Sequence, residues 1–263
     1  MARLFLALTL AGLALIVGGP ARAADAVLSV EGTTFVLVTP DARLTSRDLV
    51  GAEFDMEIDG LPSTVRIDSV TPSKEQPDVL LHAFSIKDPE TGQYSPLCDS
   101  DAYGREAGFP VAGAWDDKGQ FVKNPKAWFL TCTSGSQGKC ILWGYNPWKE
   151  GPKGEDLLPY YEACQHTVRA DYDGRGQAFT KNGTTIDVFD DIGIQRSETG
   201  EDVKFAFEAG WGPTGAVCAD RTRWPDLLSL EDLRKRGSRF QGGCDLERAR
   251  KRGALIYTRV EKR

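Results

Sequence analysis

The chain has 263 residues, 41% of them hydrophobic, with 32 Lys and Arg against 38 Asp and Glu for a net charge of -6. Six Trp and twelve Phe are enough to bury a core, which excludes a disordered chain. The acidic balance argues against a nucleic-acid partner.

The first residues read as an export leader. Arg3 gives a positive start, and Leu4 to Val17 is an apolar run with Thr9 as its one polar member. Gly18, Gly19 and Pro20 end the run, and Ala21-Arg22-Ala23 suits a signal peptidase. A run of this length falls short of the ~20 residues that span a bilayer. Residues 1–23 are therefore assigned to a signal peptide, and the mature chain to the periplasm or the exterior, not to the membrane. Cleavage removes Arg3 and Arg22 and no acids, which takes the net charge from -6 to -8.

Residues 24–97 read as a β-rich part. Phe35 to Val38 is an apolar run that Pro40 ends. In "AEFDMEIDG", Ala52, Phe54, Met56 and Ile58 alternate with Glu53, Asp55, Glu57 and Asp59, giving a strand with one buried and one acidic face. Val65 and Ile67 continue after a turn at Gly60 and Pro62. "DVLLHAFSIKD" places Leu80, His82, Phe84 and Ile86 on one face, which makes His82 a core or strand-edge histidine and not a ligand.

Trp128 to Thr131 and Ile141 to Tyr145 flank "CTSGSQGKC" and suggest a hairpin. "EDLLPYYEACQHTVRADY" is the strongest helix. Asp156 can cap it, Pro159 fits its first turn, and Leu157, Tyr161, Cys164 and Val168 form its apolar arc. His166 lies opposite, towards the surface. "QAFTKNGTTIDV" carries the Asn182-Gly183 signal of a second hairpin. "VKFAFEAGW" is a further strand. "SLEDLRKRG" is a short helix with Ser229 as cap and Gly237 as stop, another basic helix starts at Asp245, and "ALIYTRV" closes the chain. The sum is an α+β single domain, rich in antiparallel strands, with two or three helices.

An even set of six cysteines in an exported chain implies disulfide stabilisation. Cys218 with Cys244 is the preferred pair, since both flank one predicted helix. Cys98, Cys132, Cys140 and Cys164 are paired in an order left open; Cys132 and Cys140 either close a short loop or each reach elsewhere.

In chain order, "FLTCTSGSQGKCILWGYNPW", "YYEACQHTVRADYDGRGQAFTKNGTTIDVFDDIGIQ" and "GAVCADRTRWP" with a later cysteine resemble the ADYC-domain family of exported bacterial proteins. The resemblance runs from about Cys98 to Cys244, and residues 98–263 are taken as the ADYC-like part, forming one structural unit with 24–97. It names a domain and implies no reaction. The motif Ala-Asp-Tyr-Cys falls on Ala170, Asp171, Tyr172 and Asp173, so Asp stands where the family has Cys. If the family's cysteine is bonded, this chain lacks that crosslink, a loss of about 2–4 kcal/mol unless other packing compensates.

Three chemistries can be weighed on these residues. Asp171-x-Asp173-x-Arg175-Gly176 copies the start of a calcium loop, but Arg175 replaces an oxygen ligand and Asn182 stands where a bidentate Glu is needed. No metal is assigned, Asp171 and Asp173 being the weaker calcium reading, and the glycines are read as turn chemistry that leaves the helix. Paired carboxylates for glycoside hydrolysis would come from Asp171 with Asp187 or Asp190, with Trp143, Trp148 and Trp211 to stack a sugar. No nucleophile elbow, P-loop or dinucleotide pattern occurs, so no cofactor is assigned. Finally, Asp232 to Arg263 holds 11 basic and 4 acidic residues, net +7. This basic end either docks on the acidic body of the chain, including the Glu53–Asp59 stripe, or binds an anionic envelope polymer or an acidic protein.

The sequence thus reads as an exported, disulfide-bonded binding or structural module of the cell envelope or exterior, leaning away from an enzyme. The alternative is a carbohydrate- or envelope-directed hydrolase using paired aspartates.

Overall fold

The computed structural model describes residues 26–58, 60–116, 120–199 and 203–262. The leader, residues 1–23, and Asp59 of the acidic stripe lie outside the described residues. Every strand pairing among the described residues is antiparallel. β1 (Val27–Glu31), β2 (Thr34–Val38) and β3 (Arg43–Thr45) form a small meander. A six-stranded sheet follows. It contains β4 (Glu53–Ile58), β5 (Leu61–Pro72), β6 (Leu80–Lys87), β7 (Tyr94–Pro96), β8 (Gly108–Ala112) and, beyond a two-strand hairpin of β9 (Ala114–Trp115) and β10 (Phe121–Val122), β11 (Trp128–Cys132). Its order is β11-β8-β6-β5-β4, with β7 added on β6.

The alternation in β4 does what period two demands. Glu53, Asp55 and Glu57 are exposed, while Phe54, Met56 and Ile58 pack on Phe35, Val65, Ile67 and Phe84. β4 is also the sheet edge, and its acidic face discourages another strand from adding there. His82 is fully buried; its ring stacks on Phe84 with centroids 5.2 Å apart, and Nδ1 lies 3.1 Å from the Leu80 carbonyl. Burial pushes its pKa down to about 4.

Cys98 bonds Cys132, Cys140 bonds Cys164, and Cys218 bonds Cys244. At the first bridge Gly108 has no room for a side chain, since a Cβ would sit 2.4 Å from the Thr131 carbonyl oxygen and 3.0 Å from Cys98 Sγ. The second bridge corrects one expectation. Ile141 and Leu142 are not a strand; they belong to helix α1 (Ser136–Leu142), which Cys140 ties to α2 (Leu158–Arg169). A short apolar run does not distinguish a strand from a buried helix turn. Here Gly138 lets the helix lie on the Cys132 carbonyl, where a Cβ would come within 2.3 Å.

The second sheet has the order β12-β15-β13-β14, from β12 (Ile186–Asp190), β13 (Phe205–Gly212), β14 (Gly215–Ala219) and β15 (Ile256–Glu261). The main core, with Trp211, Tyr161, Tyr172 and Ile256, lies between this sheet and α2. Asn182-Gly183 does make a tight turn, with Thr184 N donating to the Lys181 carbonyl, but no hairpin. Phe179 is instead buried in the core and its N–H donates to the Arg169 carbonyl, so the segment before the turn is held by α2 while β12 pairs with β15. α3 (Leu230–Arg236) takes the cap expected of Ser229, and α4 (Leu246–Lys251) starts after Asp245, whose side chain caps it, bringing the α-helices among the described residues to four. Among the described residues no helix is long and apolar enough to cross a membrane.

Candidate functional site

Helix α2 carries its two faces into the site. Leu157, Tyr161 and Cys164 are buried as the apolar arc requires, and Leu158 N donates to Asp156 at 3.1 Å. On the other side Glu162, His166 and Arg169 follow at i, i+4 and i+7 and line a cleft of about 520 Å³. His166 is thus a wall of that cleft and not a free surface residue. Its Nδ1 lies 3.1 Å from Asp171 Oδ2 and its Nε2 lies 3.0 Å from the Pro213 carbonyl oxygen.

The helix ends at Ala170, the one non-glycine residue with positive φ among the described residues (φ 52°, ψ 41°). A small side chain tolerates this left-handed stop, which turns the chain sharply into the motif. Asp171 then knits the turn. Oδ1 accepts from Arg175 N at 3.1 Å and Oδ2 from Gly176 N at 2.9 Å, besides facing His166. Burial would raise this carboxyl, but the His166 hydrogen bond and charge and the Gly176 N–H hold it below the ordinary carboxylate range. Gly174 has positive φ, and a Cβ there would meet the Thr214 carbonyl oxygen at 2.3 Å.

Tyr172 points inward. Its hydroxyl donates to Glu208 and accepts the Arg223 N–H, and its ring lies against Trp211 with centroids 5.1 Å apart. Arg223 pairs with Glu208 at 3.1 Å with both side chains buried, and its remaining N–H groups donate to the Thr167 and Val168 carbonyls at the end of α2. Asp173 is 3% exposed and bonds Arg236 at 3.1 Å, with Arg175 at 3.6 Å. Two cations therefore face the carboxylate that the calcium reading required. No group of three His, Cys, Asp or Glu is placed to hold a metal among the described residues.

The other aspartates stand apart from the cleft, on and just after β12. Asp187 accepts from the Ser197 and Thr199 hydroxyls, the Glu198 N–H and Arg259. Burial opposes its ionisation, but these donors together hold its carboxyl low. Asp190 accepts four backbone N–H groups, from Ile192, Gly193, Ile194 and Gln195, as well as the Tyr145 hydroxyl. Asp191 pairs with Arg250 and Tyr257. Of the tryptophans considered for stacking, Trp211 is fully buried with its N–H on Thr258, while Trp143 and Trp148 pack on the main core.

The basic C-terminal segment uses much of its charge on its own chain. Arg236, Arg250 and Arg259 reach Asp173, Asp191 and Asp187, Lys235 and Lys251 pair within their helices, and Arg239 donates to the Tyr172 carbonyl. It docks on the motif loop and on the aspartates at β12, and no ion pair among the described residues joins it to Glu53, Asp55 or Glu57.

Sequence reasoning missed the buried Glu208–Arg223 pair, which no local pattern marks. It also missed Glu162, although the spacing Glu162, His166, Arg169 opposite the apolar arc was readable. A family model described as the ADYC domain matches residues 46–225, more than half of the chain. The match starts within the N-terminal strands, well before Cys98. No curated protein and no solved structure is found to match the chain.

Proposed function

The chain belongs to the ADYC-domain family, and on that premise we propose that it is an exported, disulfide-crosslinked module of the cell envelope or exterior that binds or scaffolds and does not catalyse. The observation that carries this reading is the saturation of Asp171, Asp187 and Asp190. Each accepts hydrogen bonds from its own surroundings on both oxygens, which supports a role in holding the local chain over a role in a reaction. Asp187 and Asp190 also lie outside the walls of the cleft that Asp171 lines. The hydrolase alternative, which needs two carboxyls facing across one substrate, gains no support from this arrangement.

Three disulfides and a leader-like start support export. The +7 segment remains a surface for an anionic envelope polymer or an acidic protein, through those basic groups its own aspartates leave unpaired. Fractionating cells that express the full chain, and sequencing the N-terminus of the recovered protein, tests the reading. Recovery outside the cytoplasm with Ala24 first is expected. Recovery in the cytoplasm with Met1 retained would overturn it.

A further inference from the structure

We propose that the cleft along α2 is a binding site for an acidic saccharide, a hydroxylated ring that carries a carboxylate. The proposal rests on the reading of the chain as a binding module and supplies that module with a ligand class.

The walls offer more donors than the protein uses. Arg169, from the last turn of α2, already donates to the Gly176 carbonyl, and Arg175, from the motif loop behind it, brings the more open guanidinium. Arg175 keeps 69% of its side chain exposed, and its ion pair with Asp173 is long. A planar fork with open N–H groups matches a carboxylate in two places at once. Gln165 is more than nine-tenths buried; its Oε1 accepts from Ser136 at 2.9 Å, while its Nε2 has no acceptor in the protein. Trp115 Nε1 is a second buried donor in the same wall without an acceptor. Folded proteins leave few such groups unmatched, so two in one cleft point to acceptors that arrive with a ligand.

The remaining features select among anions. Glu162 presents a carboxylate whose pKa burial raises, an acceptor suited to a ligand hydroxyl. Trp115 is half-buried against Phe121, Phe129 and Tyr161, and the part of the indole left in the wall is an apolar surface of the kind a sugar ring covers. A bare inorganic anion would offer Glu162 no hydroxyl. A neutral sugar would bring no carboxylate to the exposed Arg175 fork, and a free amino acid would leave the indole uncovered. The volume of about 520 Å³ is that of a small-molecule site.

Calorimetric titration of the mature chain with a uronic-acid disaccharide, its neutral counterpart, acetate and a dipeptide tests the proposal. The uronic acid is expected to bind at least about tenfold tighter than each of the others. Arg175→Ala is expected to weaken it about tenfold with the melting temperature little changed, because its ion pair with Asp173 is long and Arg236 stays on that carboxylate at 3.1 Å. Glu162→Gln serves as a second variant with the same direction. Absence of uronate binding at millimolar concentration overturns the proposal. So does equal or tighter binding of the neutral sugar, acetate or dipeptide, or uronate binding that neither substitution alters. Such a failure leaves the module reading standing, because that reading answers to cell fraction and N-terminus and not to this titration.

Discussion

The Tyr172 hydroxyl donates to Glu208 Oε1 at 2.6 Å, and neither side chain is reached by solvent. That bond joins the motif loop after α2 to β13, and the Arg223 N–H, also on the phenol oxygen at 2.6 Å, adds the segment beyond β14. The residue at the centre of the family motif is thus a buried brace. Tyr172→Phe keeps the ring and removes the brace, leaving a buried carboxylate oxygen and a backbone N–H each short of a partner. A loss of about 1–3 kcal/mol is expected in urea unfolding. An unchanged midpoint would contradict the role.

Glu208 and Arg223 should behave as a unit. Changing one, as in Glu208→Gln, strands a buried charge and should cost about 3–5 kcal/mol. Changing both to apolar residues of similar size, Glu208→Leu with Arg223→Met, removes that penalty and should cost much less than the sum of the single changes. Unfolding curves for the two single variants and the double variant give the coupling directly; additive costs would mean that the pair is not coupled.

His82 makes stability depend on pH. The folded pKa is about 4, while the unfolded chain takes up its proton near 6.5. The contribution of the neutral buried ring is therefore fully present above pH 6.5. It declines between 6.5 and 4, by about 3 kcal/mol in all. His82→Phe should flatten the melting temperature across that window. Asp171 and Asp187 act at lower pH with depressed carboxyls: their stabilisation is complete above pH ~4 and is lost as pH falls through their folded values. A variant and a parent with parallel profiles between pH 4 and 6.5 would dismiss the histidine effect.

Asp173 occupies the position where the family resemblance places a cysteine. The described residues contain no free cysteine to receive a new one. Asp173→Cys should give a single unpaired thiol that reacts with a thiol reagent only on unfolding, because the site is 3% exposed. Arg236 would lose its carboxylate, at a cost of about 1–3 kcal/mol. Entry of the new cysteine into a disulfide, with one of the six native cysteines left as the free thiol, would show that the sulfur framework is read wrongly.

Much of the fold was legible because its signals are local. The alternation in β4, the cap at Ser229, the helix start at Asp245 and the apolar arc of α2 each need only a few neighbouring residues to declare themselves. Ile141 and Leu142 were misread because a short apolar run fits a helix turn as well as a strand. The Asn182-Gly183 turn formed without its hairpin because Phe179 is buried in the core and β15 takes β12 as its partner. At the site, Asp171 was legible as a turn former, since its acceptors bond N–H groups within five residues. Tyr172 was not legible as a brace, because Glu208 and Arg223 come to it only when the second sheet closes on α2.

The chain is fully disulfide-bonded, and its aspartate-and-glycine loop is held in shape by bonds to the rest of the fold. Peptide mapping of the native protein under non-reducing conditions tests this most directly. It should yield the crosslinked fragments Cys98–Cys132, Cys140–Cys164 and Cys218–Cys244 with no alkylated thiol. A labelled cysteine in the folded protein, or any other pairing, would contradict the account.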